Sequence, residues 1–245
     1  MLVLAFVRLF VLLFYFILMN LGLIIFFIVR PMHRDNVHVA GKTYSTMAKI
    51  IGVTLVYRES SNIDPKESYV FIGNHQNTYD LATISHGAMP GVVTVGKKSL
   101  KWIPIFGLIY WLSGNIMIDR KNTGRARDTL TLTGDKMRER NLSIWMFPEG
   151  TRSRGQGLLP FKTGAFRLAL SQNKAIVPVV CSDLNNGKIK LNRWNNGVVI
   201  IESLDPVKLD STKSAKQTAK DFHTVMLNTF TRITEEASQL ANRRT

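Results

Sequence analysis

The chain has 245 residues, enough for one substantial domain or one domain plus an anchor, and its single cysteine, Cys181, excludes an internal disulfide framework. The net charge of +15 calls for a polyanionic partner: nucleic acid, an anionic membrane surface or phosphorylated substrates. Neither zinc-finger spacing nor a Gly-rich aromatic ribonucleoprotein motif is present, so the sequence predicts no nucleic-acid partner.

The N-terminus is the main compositional anomaly. Leu9 to Val29 is a run of 21 residues without a charge, the length of a bilayer core. It is too long for a signal peptide, and "VRPMHRDN" after it offers no small-residue cleavage site. A soluble core helix would show a polar face, and this one shows none. Asn20 and Gly22, in mid-run, mark a possible bend. The following stretch, "NVHVAGKTYSTMAKIIG", is mildly amphipathic and suits the membrane interface. Residues 1–50 are therefore expected to be a membrane-anchoring helical segment and 51–245 a single domain. Arg30, His33 and Arg34 outnumber Arg8 across the apolar run, which puts the domain on the cytoplasmic side.

Beyond residue 50, short continuous apolar runs alternate with helical stretches. Strands are expected at 69–73, 92–96, 115–119, 143–147, 175–180 and 198–204, and helices near 79–88, 123–140 and 164–172. Unbroken apolar strands are covered on both faces, so the fold class is α/β: a central, largely parallel sheet flanked by helices. A long helix closes the chain, about 212–242. Its stripe of Phe222, Met226, Phe230, Ile233, Ala237 and Leu240 predicts packing on the domain. Cys181, in the apolar "IVPVVC", reads as a buried, inert thiol.

Four strand exits carry polar chemistry. "GNHQNTYD" places His75 and Asp80 with four residues between them, a general base and a carboxylate to orient it; taken alone, a surface His with Asp80 as a helix cap is the better reading of the pair. "FPEGTRSRG" joins a Pro–Gly turn to Arg152 and Arg154, a combination of backbone N–H groups and guanidinium that suits phosphate. Glu149 within it is expected to orient an arginine or a substrate hydroxyl. "GNIMIDRKN" places Asp119 and Arg120 at a third exit, and "VGKKSL" places Lys97 and Lys98 at a fourth. In a parallel sheet these exits converge on one edge, where α/β ligand sites lie.

These stretches resemble the ordered blocks of the glycerolipid acyltransferases. "NHQNTYD" is similar to the family's His-four residues-Asp block, "GNIMIDR" and "FPEGTRS" to the second and third, "IVPVV" to the fourth, and "PFKTGAF" adds to the match. The resemblance spans about residues 50–205 and is strongest toward bacterial enzymes that acylate lysophosphatidate. It implies transfer of a fatty acyl group from an acyl-CoA or acyl carrier protein thioester to the sn-2 hydroxyl of 1-acyl-sn-glycerol 3-phosphate, making phosphatidate for phospholipid synthesis. In that scheme His75 is the base and Asp80 holds its ring. Glu149, Gly150, Thr151, Arg152, Arg120 and Lys97 bind the acceptor. No metal and no cofactor is required beyond the thioester substrate. The implied location is the bacterial inner membrane, with the catalytic domain facing the cytoplasm.

Two positions depart from the blocks. Asn77 stands where Ser is usual and Met117 where Phe is usual, which leaves acceptor and chain-length preference open. Other readings also stay open: another lysophospholipid or glycerol 3-phosphate as acceptor, a metal-dependent phosphoesterase using His75, Asp80 and Glu149, or a non-catalytic anionic-lipid binder.

Overall fold

The computed structural model describes residues 2–118, 126–184 and 187–243. Helices α1 (Leu2–Val29), α2 (Asn36–Ser45) and α3 (Met47–Ile50) precede strand β1 (Thr54–Arg58). Then come β2 (Val70–Gly73), β3 (Val92–Lys97), α4 (Phe106–Leu112), β4 (Ile116–Ile118), α5 (Ala126–Glu139), β5 (Ser143–Met146), α6 (Gly164–Ser171), β6 (Ile176–Cys181), β7 (Val198–Ser203) and α7 (Ala215–Asn242).

The seven strands form one sheet in the order β1-β7-β6-β2-β5-β3-β4. The five strands from β6 to β4 run parallel; β7 is antiparallel to β6 and parallel to β1. The sheet is thus mixed, largely parallel as the apolar runs predict. The sequence reading finds six of the strands and misses β1. "TLVYR" is only partly buried and ends in Arg58, so it lacks the unbroken apolar signature of a central strand. The stretch 79–88 is not an α-helix. It forms two 3-10 turns, Thr78–Ala82 and Ile84–Gly87, and the first is capped by the Asn77 side chain, which accepts from the Tyr79 N–H.

Two apolar layers cover the sheet. One gathers Phe71, Ile84, Trp145, Val177 and Ile201 beneath the N-terminal helices. The other gathers Ile72, Ile144, Phe166, Leu168, Val180, Ile200 and Met226 beneath α5, α6 and α7. The stripe on α7 packs on β6 and β7 as predicted, with Phe222, Met226, Ile233 and Ala237 buried. Ion pairs Arg58–Glu236 and Arg232–Glu202 tie that helix to β1 and β7.

Phe166 is fully buried, 5.6 Å from the Phe222 ring and 6.4 Å from Phe161. Truncating it opens a cavity between sheet and helices, so Phe166→Ala is expected to cost about 3–5 kcal/mol. Thermal unfolding in detergent should then fall by roughly 6–20 °C. An unchanged midpoint would mean that this layer is loosely packed.

α1 is one unbroken helix through Asn20 and Gly22. Asn20 turns inward and accepts from the Tyr44 hydroxyl at 2.7 Å. One face of α1 is docked from Arg8 to Phe27. Near its start, Arg8 is buried and donates to the carbonyls of Leu191, Arg193 and Trp194. The Tyr15 hydroxyl meets Thr46 Oγ1 at 2.7 Å, and Leu23 and Phe27 enter the core. The other face leaves Phe6, Phe10, Leu13, Phe14, Ile25 and Val29 exposed. α2 buries Val37, Ala40, Gly41 and Tyr44 and packs on the second 3-10 turn.

Candidate active site

β2 is buried at every position, so its exit is held rigidly in the middle of the sheet. Two side chains there bind backbone of the neighbouring β6 end. Asn74 both donates to the Cys181 carbonyl (2.9 Å) and accepts from the Cys181 N–H (2.8 Å). Gln76 donates to the carbonyls of Cys181 and Ser182 and accepts from the Leu184 N–H. These amides replace ladder hydrogen bonds where the strands diverge.

The first 3-10 turn carries Asp80 back over His75. His75 Nδ1–H donates to Asp80 Oδ2 at 2.6 Å. The same oxygen accepts from the Gln76 N–H (2.8 Å) and the Asn77 N–H (3.2 Å). Asp80 is 6% exposed, and the His75 ring lies flat on Phe147, centroids 4.2 Å apart at 15°. The ring is therefore fixed on both a face and an edge, and Nε2 is the nitrogen left for a substrate. The cap expected of Asp80 is present too, since its side chain accepts from the Asn77 N–H in a capping box, while the His75 ring is partly buried and paired rather than free on the surface.

β5 lies beside β2, which brings the third block to the first. Among the described residues Glu149 meets no arginine. Its Oε1 accepts from the His75 N–H at 2.7 Å and its Oε2 from the Leu159 N–H at 3.0 Å. At 3% exposure it braces two loops from behind the cavity, and burial pushes its carboxyl above the ordinary value despite those two amides. The Ser153 and Arg154 N–H groups return the contact by donating to the carbonyls of His75 and Gln76. Gly150 sits at φ 72, and a Cβ there would meet Lys162 Nζ at 2.7 Å, so the turn needs glycine.

A cavity of about 620 Å³ opens on this edge. His75, Asp80, Gly150 and Arg152 line it, with Asn77. Much of the rest of the lining is apolar: Val37, Ala40 and Tyr44 of α2, Leu81 and Ile84 of the turns, Ile109 of α4. Polar chemistry thus shares one cavity with a largely apolar lining, the form of a site for an amphipathic ligand. Thr151 is exposed beside the turn and is not part of the lining. Lys97 is the last residue of β3, next to Gly96 in the cavity wall; Arg120 lies outside the described residues. A larger cavity, about 730 Å³, lies at the opposite sheet edge between β7 and α7 and holds none of these groups.

Sequence reasoning misses Phe147, Asn74 and Gln76 as supports and Lys162 as a cation beside Gly150. Phe147 and Lys162 stand inside the quoted blocks, but only the adjacency of β2 and β5 reveals what they touch.

The acyltransferase family model matches residues 54–182, which contain the whole His75–Asp80–Glu149–Arg152 assembly. The chain belongs to the acyltransferase family. It is 43% identical over 219 residues to the 1-acyl-sn-glycerol-3-phosphate acyltransferase of Haemophilus influenzae, covering 88% of this chain and 90% of that one. Its identity to the enzyme of that name from Escherichia coli is 45% over 183 residues, covering 75% and 74%. A crystal structure of the 1-acyl-sn-glycerophosphate acyltransferase from Thermotoga maritima shares the fold, with a TM-score of 0.70 over 94% of this chain and 95% of that one at 20% identity. This acyltransferase therefore carries its polar assembly on a fold that the family also uses elsewhere.

Proposed function

We propose that this acyltransferase moves a fatty acyl group from an acyl-CoA or acyl carrier protein thioester to the sn-2 hydroxyl of 1-acyl-sn-glycerol 3-phosphate. The observation that carries the chemistry is the His75–Asp80 hydrogen bond in the lining of a largely apolar cavity. The relatives' names supply the acceptor.

In this reading His75 Nε2 takes the proton of the sn-2 hydroxyl, and Asp80 stabilises the resulting imidazolium. The freed oxygen attacks the thioester carbonyl carbon. As the C–O bond forms and the C–S bond breaks, the proton passes to the departing sulfur. No acyl-enzyme is needed, and Cys181 is unsuited to be a nucleophile: it is fully buried, and burial pushes its thiol up.

Arg152 and the Gly150 turn are assigned to the acceptor phosphate, with Lys97, Arg120 and Thr151 as further ligands on sequence grounds and Lys162 beside them. Glu149 is assigned a positioning role instead of the substrate contact first expected, since both its oxygens hold backbone amides. The same engagement weighs against a metal-dependent phosphoesterase that uses Glu149 with His75 and Asp80. Arg152→Ala should raise the KM for lysophosphatidate by roughly tenfold, one charge-assisted hydrogen bond, with the thioester KM unchanged. Steady-state kinetics with each substrate varied in turn would measure this. An unchanged acceptor KM would remove Arg152 from the phosphate site.

For the membrane, we propose that α1 lies in the plane of one leaflet as the anchor within residues 1–50. A helix fixed to its own domain from Arg8 to Phe27 is not free to stand across a bilayer, while its open apolar face needs lipid. The cytoplasmic face of a bacterial inner membrane, where thioester carriers are made, suits this arrangement.

A further inference from the structure

Between β3 and β4 the chain leaves the sheet in a projecting segment, Lys98 to Trp111. It comprises a 3-10 turn, Lys98–Trp102, and α4. Its two sides differ sharply. The inner side supplies Leu100, Phe106, Ile109 and Tyr110 to the wall of the cavity that holds His75. The outer side exposes Trp102 (76%), Ile103 (46%), Ile105 (45%), Leu108 (44%) and Trp111 (44%). So much exposed apolar surface on one short segment marks an interaction site.

Two observations name the occupant. First, α4 packs against α1, which carries an exposed apolar face of its own. Ile109 and Leu112 share a core with Leu23 and Phe27 of α1, and the Met32 N–H donates to the Leu112 carbonyl at 2.7 Å. The open faces of α1 and α4 therefore flank one contact. Second, the patch is rimmed by cations. Lys98 and Lys101 are exposed, Lys101 Nζ stands 4.5 Å from the Trp102 ring, and Arg30 stands 4.5 Å from the Phe26 ring of α1. Tryptophans with lysines at their edge match the boundary of an anionic bilayer, where rings sit at the headgroups and ammonium groups reach phosphates.

We infer that the Lys98–Trp111 segment is a second membrane-inserting element, which together with α1 seats the mouth of the catalytic cavity on an anionic lipid surface. This surface rests on the lipid-acceptor reading above and adds how the acceptor arrives. A lysophospholipid would enter along the inner side of the segment without crossing water.

The test reads depth rather than turnover, so a failure of the acyl-transfer reading would not be mistaken for a failure here. Full-length protein carrying Trp102→Cys or Leu108→Cys is labelled with an environment-sensitive fluorophore. Buried Cys181 stays silent, and Glu67→Cys, exposed in the loop before β2, serves as the control. Each is bound to vesicles of phosphatidylcholine and phosphatidylglycerol with nitroxides in the acyl chains. The expected result is a blue shift and loss of most emission at positions 102 and 108, with none at 67. Water-like emission at both positions on vesicle-bound protein would overturn the proposal. So would protection without lipid that grows with protein concentration, which would mean a second copy covers the patch. Protection that needs an added acidic carrier protein would overturn it as well.

Discussion

Replacing His75 with Ala is expected to lower kcat for acyl transfer by about 10²- to 10⁴-fold, the range for a positioned general base. The acceptor KM should stay within a few-fold, because phosphate contacts are assigned to the Gly150–Arg152 turn rather than to the ring. The fold should survive. His75 is partly exposed, and its removal leaves Asp80 Oδ2 still accepting from the Gln76 and Asn77 amides. The His75 N–H to Glu149 bond belongs to the backbone and also remains. Initial rates at saturating thioester, beside a thermal melt, check this. A variant that keeps a tenth or more of the wild-type kcat would mean that another group takes the proton.

Asp80 offers a sharper separation, because two substitutions should divide its two jobs. Asp80→Asn retains an oxygen able to accept from the ring and both amides, yet carries no charge to stabilise an imidazolium. Its kcat should fall by about 10²- to 10⁴-fold with the melting point nearly unchanged. Asp80→Ala removes the shared acceptor from three donors at a buried position. Each unsatisfied donor costs about 1–3 kcal/mol, so this variant should also melt well below wild type. If Asn and Ala were equally inactive and equally unstable, Asp80 would be a turn-former and not an orienting carboxylate.

How much of this can be read from the chain depends on how far apart in sequence the partners lie. His75 and Asp80 are five positions apart on one turn, so their pairing is visible before any fold is known. Glu149 meets His75 across 74 positions. Its role turns on β2 and β5 being neighbours, and sequence alone pairs a carboxylate in "PEGTRSR" with the nearby arginines. Continuous apolar runs reveal the buried strands, whereas β1 sits at an edge beside solvent and reads as ordinary loop. Direction is not legible either. "VVIIES" looks like any parallel core strand, and only the path from β6 shows that it runs the other way. In the N-terminal segment, apolar composition announces a long apolar helix, but the placement of Arg8 against the 191–194 carbonyls depends on a loop far along the chain. Cavity lining by α2 is hidden for the same reason: its mild amphipathicity suits a membrane interface as well as it suits the packed face it makes with the second 3-10 turn.

The central claim is that the cavity acylates a lipid acceptor recognised by its phosphate. The most direct measurement offers detergent-solubilised wild-type protein a thioester donor with either 1-acyl-sn-glycerol 3-phosphate or the same 1-acylglycerol lacking the phosphate, and separates the products. Rapid formation of phosphatidate, with the phosphate-free acceptor slower by about tenfold or more, is the predicted result. Equal rates on the two acceptors, or no phosphatidate with either class of thioester carrier, would contradict it.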